Sequence, residues 1–314
     1  MLHMRVVSPP GRTDEVLETL ESCTGVTNIA VLPGAARRPE GDLIFCDLAR
    51  ESANTVIGRL KWLETEGSMA VEQVDLSISR ASEEAKEDAP GEGDDAVIWE
   101  ELRQRVQGDS RITWAYLAFF AIATQLAGIG VLLNSPILIV GAMVLGPEFG
   151  AVAAICFGLM LRRWRLIGSS SITLIVGFSV GIAVTFACAL VSSWLGWVNH
   201  SMLELNAEVQ FIVLPDKFSF IVALLAGVAG VLSITAGKSS ALVGVFISVT
   251  TIPAAGYAAV ATALADWGAV GGAAAQLAIN ITGMVVSGTA TLIVQRTFWP
   301  QVGQSAERGR KSSA

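Results

Sequence analysis

The chain has 314 residues, 52% of them hydrophobic and only 16% charged, with 21 Lys and Arg against 28 Asp and Glu. Together with a mean hydropathy of +0.57, this excludes an ordinary soluble enzyme, and the net charge of −7 excludes the basic footprint of a nucleic-acid binder. With His3 and His200 as the only histidines, and Cys23, Cys46, Cys156 and Cys188 showing no CxxC pairing, a His-based metal centre, a catalytic triad and a disulfide framework have little to build on. No cofactor is expected.

Most charges lie before residue 115, so composition divides the chain into a polar N-terminal part and an apolar remainder. The first residues, MLHMRVVSPPGRTDEV, contain no apolar run long enough for a signal peptide, and the polar part is expected to be cytoplasmic. Within residues 1–80, Leu2 to Val7 reads as a strand. Thr13 reads as an N-cap followed by the first-turn acids Asp14 and Glu15, with Val16, Leu17 and Leu20 on one helical face. Val26 to Leu32, Asp42 to Leu48 and Met69 to Ile78 read as further strands, with a turn region from Pro33 to Gly41 and a second helix over Ser52 to Glu64. The order β-α-β-β-α-β is the ferredoxin-like split βαβ arrangement, an α+β domain. It resembles the small ACT-type domains, which bind amino acids or other small ligands at interfaces. That resemblance implies a regulatory role, and an assembly role fits the pattern equally well.

Residues 81–98 carry Glu83, Glu84, Glu87, Asp88, Glu92, Asp94 and Asp95 among Pro90, Gly91 and Gly93, the composition of a flexible, self-repelling linker. Over residues 99–113, Trp99, Leu102 and Val106 recur at helical spacing beside Arg103, Arg105 and Arg111, which predicts an amphipathic helix approaching a membrane surface. Residues 114–296 hold six apolar stretches, about Trp114–Leu133, Ile137–Leu161, Ile167–Val191, Phe218–Ala236, Ala241–Ala265 and Gly268–Val294. Each reaches the roughly 20 residues needed to cross the hydrocarbon. Basic residues stand before the first stretch (Arg103, Arg105, Arg111), between the second and third (Arg162, Arg163, Arg165), between the fourth and fifth (Lys238) and after the sixth (Arg296, Arg308, Arg310, Lys311). The other side holds only Lys217, so both termini, including the tail 297–314, are expected in the cytoplasm of a cell-membrane protein. The connection from Gly196 to Lys217 reads as an interfacial helix, a lid or an ordinary loop.

The stretch Asn134 to Gly150 (NSPILIVGAMVLGPEFG) carries the sharpest functional signal. Pro147 cannot donate the helical hydrogen bond, so a helix should break near Gly146-Pro147. Glu148 follows inside the apolar run, where a carboxylate costs about 2.5–3.5 kcal/mol and is expected to face a cavity or a partner. A second break is expected at Pro253 and Gly256. Leu126-Ala127-Gly128 is matched with Leu225-Ala226-Gly227, Ser135 and Gly141 with Ser240 and Gly244, and the PEFG run with Pro253-Ala254-Ala255-Gly256. Three spans per half give an inverted-topology repeat, and paired interrupted helices point to a carrier's binding site. The fold expected is therefore an α-helical polytopic membrane protein, six spans as two inverted three-helix repeats with broken second helices, after the α+β domain. Substrate-binding candidates are Asn134, Ser135, Gly146, Pro147, Glu148 and Gly150 from the first half, with Ser248, Thr250, Thr251, Pro253, Gly256 and Asn280 from the second. Gln125 and Gln276 are further candidates, while Ser233, Thr235, Thr282, Ser287 and Thr289 read as residues bonding their own helices.

The runs SPILIVGAMVLGPEFGAVAA, ALLAGVAGVLSITAGKSSALVGVFISVTTIPAAG and NITGM resemble a bacterial and archaeal family of membrane proteins known as domain of unknown function 389, over about residues 112–295. The resemblance implies a membrane fold and carries no activity. No nucleophile–base pair, phosphate loop or metal cluster is present, so no enzyme activity is expected. The expectation is a secondary carrier for a small polar solute, with a coupling proton or cation, the lipid bilayer as its medium and a homo-oligomeric assembly. A channel and a membrane-anchored ligand sensor are the alternatives.

Overall fold

The computed structural model describes residues 1–74, 76–89, 96–213, 215–237, 243–245, 247 and 249–311. Two compact units divide the chain at residue 101, with the second running from Leu102 to Val294.

The first unit begins with β1 (Leu2–Ser8), α1 (Thr13–Glu21), β2 (Val26–Arg37) and β3 (Glu40–Leu48). Helices α2 (Ala53–Arg59) and α3 (Leu63–Glu66) follow, then β4 (Ser68–Gln73). The strands pair antiparallel in the order β2-β3-β1-β4, the split βαβ order. Alternation sends Leu2, Met4 and Val6 of β1 and Ile44, Cys46 and Leu48 of β3 to one face, where Val16 and Leu20 of α1 and Val56 and Leu60 cover them. The β2–β3 hairpin is longer than expected. The chain stays extended through Pro33 and Gly34 to Arg37, with the register shifting between Leu32 and Ala36. Pro33 is tolerated because β2 is an edge strand and needs no donor on its outer side. Strand β4 ends at Gln73, and Leu76 and Ile78 are exposed.

The acidic stretch is more ordered than its composition implied. Helix α4 (Arg80–Asp88) starts from Ser79, whose side chain accepts from the Ser82 N–H, and it lies against β2 and β3 with Ser82 and Ala85 buried. Further on, Arg50 Nε donates to Ala96 O at 2.9 Å, Asn54 Nδ2 donates to Val97 O at 2.7 Å, and Ile98 joins the apolar core. Small and apolar residues interleaved with the acids thus hold both ends of the stretch to the sheet unit.

The second unit is helical. After α5 (Trp99–Asp109) come α6 (Trp114–Leu132), α7 (Pro136–Leu145), α8 (Glu148–Met160) and α9 (Trp164–Trp194). A short turn at His200–Leu203 leads to α10 (Ala207–Val213), α11 (Lys217–Thr235), α12 (Thr251–Ala263) and α13 (Trp267–Lys311). Four helical segments are long and apolar enough to cross a membrane: Trp114–Leu132, Trp164–Trp194, Lys217–Thr235 and Trp267–Thr297. The pair α7 and α8, bent by 52° at the break, makes a fifth if taken as one span. The chain is thus a multi-pass, membrane-associated protein with four or five spans among the described residues, where hydropathy marked six. The remaining stretch, 241–265, the fifth in chain order, includes residues outside those described, and Lys238 and Ser240 also lie outside them. Small residues permit close helix approach. A Cβ on Gly181 would lie 2.8 Å from Thr124 Oγ1, and one on Gly283 would lie 2.8 Å from the Ala223 Cβ.

The 196–217 connection packs down rather than standing free. Leu203, Val209 and Val213 share a buried cluster with Val131, Ile139, Tyr257 and Val260.

Candidate functional site

The candidate site is built on two helix starts. Helix α7 ends where Gly146 turns extended, at φ −65° and ψ 122°, and Pro147 caps α8. A side chain at 146 would run into Glu148 Oε2 and lie 2.6 Å from Ile252 Cγ1, so the bend needs glycine for space. Glu148 is the first residue of α8 and is 4% exposed. The other helix start is that of α12, where Thr250 is the N-cap and Thr251 the first residue, itself 0% exposed.

The two starts meet. Thr251 Oγ1 donates to Glu148 Oε1 at 2.6 Å. Thr250 Oγ1 accepts from Gln276 Nε2 and from Asn280 Nδ2, both at 2.8 Å. Gln276 and Asn280 lie four residues apart on one face of α13, which is why both reach the same hydroxyl. The junction therefore joins α8, α12 and α13. Each of the two 13-residue helices directs the partial positive charge of its N-terminus toward the carboxylate. Among the described residues, Glu148 Oε2 and Gln276 Oε1 are buried without a hydrogen-bond partner. Both atoms are acceptors, so whatever completes this junction must offer positive charge or donated hydrogens.

The remaining candidates separate from this cluster. Asn134 sits after α6 in the left-handed conformation, φ +48°. Its Nδ2 donates to Glu204 O at 3.2 Å and its Oδ1 accepts from the Asn206 N–H at 2.9 Å, so it pins the 196–217 connection. Ser135 begins α7, whose 10 residues set it about 15 Å from the break. Both were expected at the site and stand at the wrong end of α7, because the run between them and Gly146 is continuous helix. Pro253 does not break a helix either. It is the third residue of α12, where its missing N–H would have had no intrahelical partner. Gly256 is a packing position: its Cβ would lie 2.8 Å from Gly128 N and from Thr124 O of α6. Gly150 plays the same part against Asp109, with a Cβ 2.7 Å from the Asp109 Cβ. Ser248 lies outside the described residues. Gln125 stands apart on α6, with Oε1 buried and without a partner. Ser233, Thr235 and Ser287 donate to carbonyls of their own helices, at 2.8, 3.0 and 2.9 Å. Among the described residues no three His, Cys, Asp or Glu side chains stand together as a metal-binding group.

Sequence reasoning named Thr250, Thr251, Gln276 and Asn280 beside Glu148, and these meet; it placed the second break at Pro253 and Gly256, whereas α12 starts at Thr251. The signal available was the threonine pair preceding the proline, since Thr is a common N-cap.

The helical unit is that of a multi-pass membrane protein whose buried carboxylate sits at a bent helix pair. Residues 143–286, which contain every residue of the junction, match the family described as Domain of unknown function (DUF389). It is similar to an uncharacterized protein of Methanocaldococcus jannaschii, 25% identical over 168 residues, which are 54% of this chain and 50% of that protein. The match thus spans about half the length of the curated relative. No solved structure matches the chain.

Proposed function

We propose that the protein is a secondary carrier of the cell membrane, moving a small polar solute through a site formed where α8, α12 and α13 meet. The single observation that carries the proposal is the hydrogen bond from Thr251 to Glu148, two residues separated by 103 positions in sequence. The same interval relates three pairs of helices in the two halves, while the counterpart of α7 would include residues outside those described. Trp114–Leu132 and Lys217–Thr235 are both 19 residues long and start 103 residues apart. Glu148–Met160 and Thr251–Ala263 are both 13 residues long at that same interval, and α9 and α13 start at it too, at Trp164 and Trp267. The left-handed residues after the helices follow it too, Asn134 with Gly237 and Arg162 with Ala265. So does burial, with Tyr116, Phe120, Ala123 and Val131 answered by Ser219, Ala223, Ala226 and Ile234.

These recurrences support six spans in two halves. Three spans per half is an odd number, so the halves run in opposite directions through the bilayer. In this register Glu148 corresponds to Thr251 and Pro147 to Thr250, which replaces the pairing of Pro147 with Pro253 suggested by the motifs. Equivalent residues of two halves touch only on the pseudo-two-fold axis that relates them. The Glu148–Thr251 contact thus supports a site on that axis, where alternating access needs it. The halves also exchange partners: α12 packs on α6 and α9, while Phe149 and Cys156 of α8 lie against Gly230 of α11 and Gly288 of α13.

Because the unpartnered atoms at the junction are acceptors, the solute or its coupling ion is a cation, a proton or an ammonium group. The arginine-rich ends of the spans support cytoplasmic termini, and the N-terminal α+β unit would regulate or assemble the carrier. The test is a thermal-shift screen of Na+, K+, ammonium and small amines on the full-length protein and on Glu148→Gln, followed by current measurements on reconstituted vesicles. A cation that raises the melting midpoint of the wild type alone, and drives transient currents that Glu148→Gln abolishes, is the expected result. Equal shifts and equal currents in both proteins would remove the site from transport. Sustained currents at channel rates would make it a pore.

A further inference from the structure

We propose that the cleft between the end of α5 and the turn from α8 to α9 binds the phosphate of an anionic phospholipid headgroup. The cleft has a volume of about 1240 Å³, and Arg111, Arg163 and Arg165 line it with Ser110, Ser169 and Trp164. Among the described residues no acidic side chain lines it. None of the three guanidinium groups makes an ion pair among the described residues, whereas Arg12 and Arg80 are each met by glutamates.

The site is built by the fold rather than by one run of sequence. Arg162 adopts φ +54°, and the Arg163 N–H closes the end of α8 onto Gly158 O at 2.8 Å. That tight turn sets Arg163 and Arg165 at the head of α9, a helix of 31 residues with no side-chain N-cap. Its first-turn N–H groups add partial positive charge to that of the arginines. On the facing wall, Thr173 Oγ1 donates to Ser110 O at 2.8 Å and fixes the segment that carries Arg111. Three unpaired guanidinium groups with hydroxyls beside them match the oxygens of a phosphate, which arginine binds in a planar, bidentate manner.

The apolar surroundings select a lipid over a free anion. The cleft adjoins the starts of α6 and α9, two helices long and apolar enough to cross a membrane. Trp114 and Trp164 open those helices and are 89% and 74% exposed. Ile112 and Ile172 continue the lining with apolar surface. A tryptophan belt beside a basic cleft between spans is the setting in which phospholipid headgroups are held on the cytoplasmic side. This inference rests on the membrane reading of the helices and not on transport.

The experiment measures the melting midpoint of the full-length protein in nanodiscs of phosphatidylcholine, with and without phosphatidylglycerol. The expected result is a rise of about 5 °C with the anionic lipid, absent in the triple variant Arg111→Gln, Arg163→Gln, Arg165→Gln. A charge-matched control, Arg5→Gln, Arg37→Gln, Arg38→Gln, keeps the full rise. Should the triple variant fail to fold, the single variants Arg111→Gln and Arg165→Gln each lose part of the rise. Inorganic phosphate added to phosphatidylcholine nanodiscs gives no rise. An undiminished rise in the cleft variants, an equal loss in the control, or a rise with inorganic phosphate alone would each overturn the proposal.

Discussion

Thr251→Val tests the junction most directly. The substitution keeps the side-chain volume and removes the hydroxyl that reaches Glu148 Oε1 at 2.6 Å. Since Glu148 Oε2 has no partner among the described residues, the carboxylate is then left without a side-chain donor. A hydrogen bond to a charged group contributes about 1.5–3 kcal/mol, whereas polar contacts between membrane helices average nearer 0.6 kcal/mol. Burial decides between these values: Glu148 is 4% exposed and Thr251 0%, so water cannot replace the lost donor. The expected cost is about 2 kcal/mol, a fall of about 4–8 °C in the melting midpoint followed by intrinsic tryptophan fluorescence. Glu148→Gln should cost less on its own, because an amide can still accept from Thr251. In a double-mutant cycle of Thr251→Val with Glu148→Leu, which removes the acceptor altogether, the two sites should couple by at least about 1 kcal/mol. Additivity within about 0.5 kcal/mol would show that the bond, and the site built on it, is absent from the folded protein.

Other consequences follow from packing and from the N-terminal unit. Gly256→Ala forces a methyl to within 2.8 Å of backbone atoms of α6 and should destabilise by about 1–3 kcal/mol; Gly168→Ala, with nothing within 4 Å, should leave the melting midpoint unchanged or raised. Asp42 accepts from Thr13 Oγ1 at 2.5 Å and from the Gly34 N–H at 2.8 Å, and these bonds, the Thr13 hydroxyl first, hold its carboxyl below the ordinary 3.8. The stabilisation is therefore complete above pH 3.8 and lost as pH falls through the depressed value. Hydrogen exchange in β3 should accelerate on acidification in that window, and Asp42→Asn should flatten the response. Cys46 is 1% exposed and its thiol is pushed up to about 12, mainly by burial, so it should resist alkylation at pH 8 until the sheet unit unfolds, as timed labelling with mass spectrometry would register.

Much of the architecture is legible in one dimension because it depends on local chemistry. The βαββαβ order of the first unit follows from alternating and helical apolar periods, and the edge position of β2 explains why that strand runs on through Pro33 to Arg37. The helix end at Gly146-Pro147 follows from a missing donor, a property of the residue itself. Even the carboxylate of Glu148 announces itself by standing alone in an apolar run. Where that carboxylate goes is a different kind of question. Asn134 and Ser135 adjoin the GAM run in sequence, yet ten helical residues carry them away from the break. Thr250, Thr251, Gln276 and Asn280 are unremarkable on their own helices, and they become a cluster only because α12 starts where α8 starts. The proposed pairing across 103 residues, likewise, rests on helix starts and burial; small-residue motifs recur in any tightly packed membrane helices and do not agree on one register. The arginine cleft has the same origin. Arg111 and Arg163 are distant in the chain, and only the turn after α8 and the Thr173–Ser110 hydrogen bond bring their charges to one cleft. Local residue chemistry thus determines which elements form and where they stop, while long-range packing decides which of their ends meet.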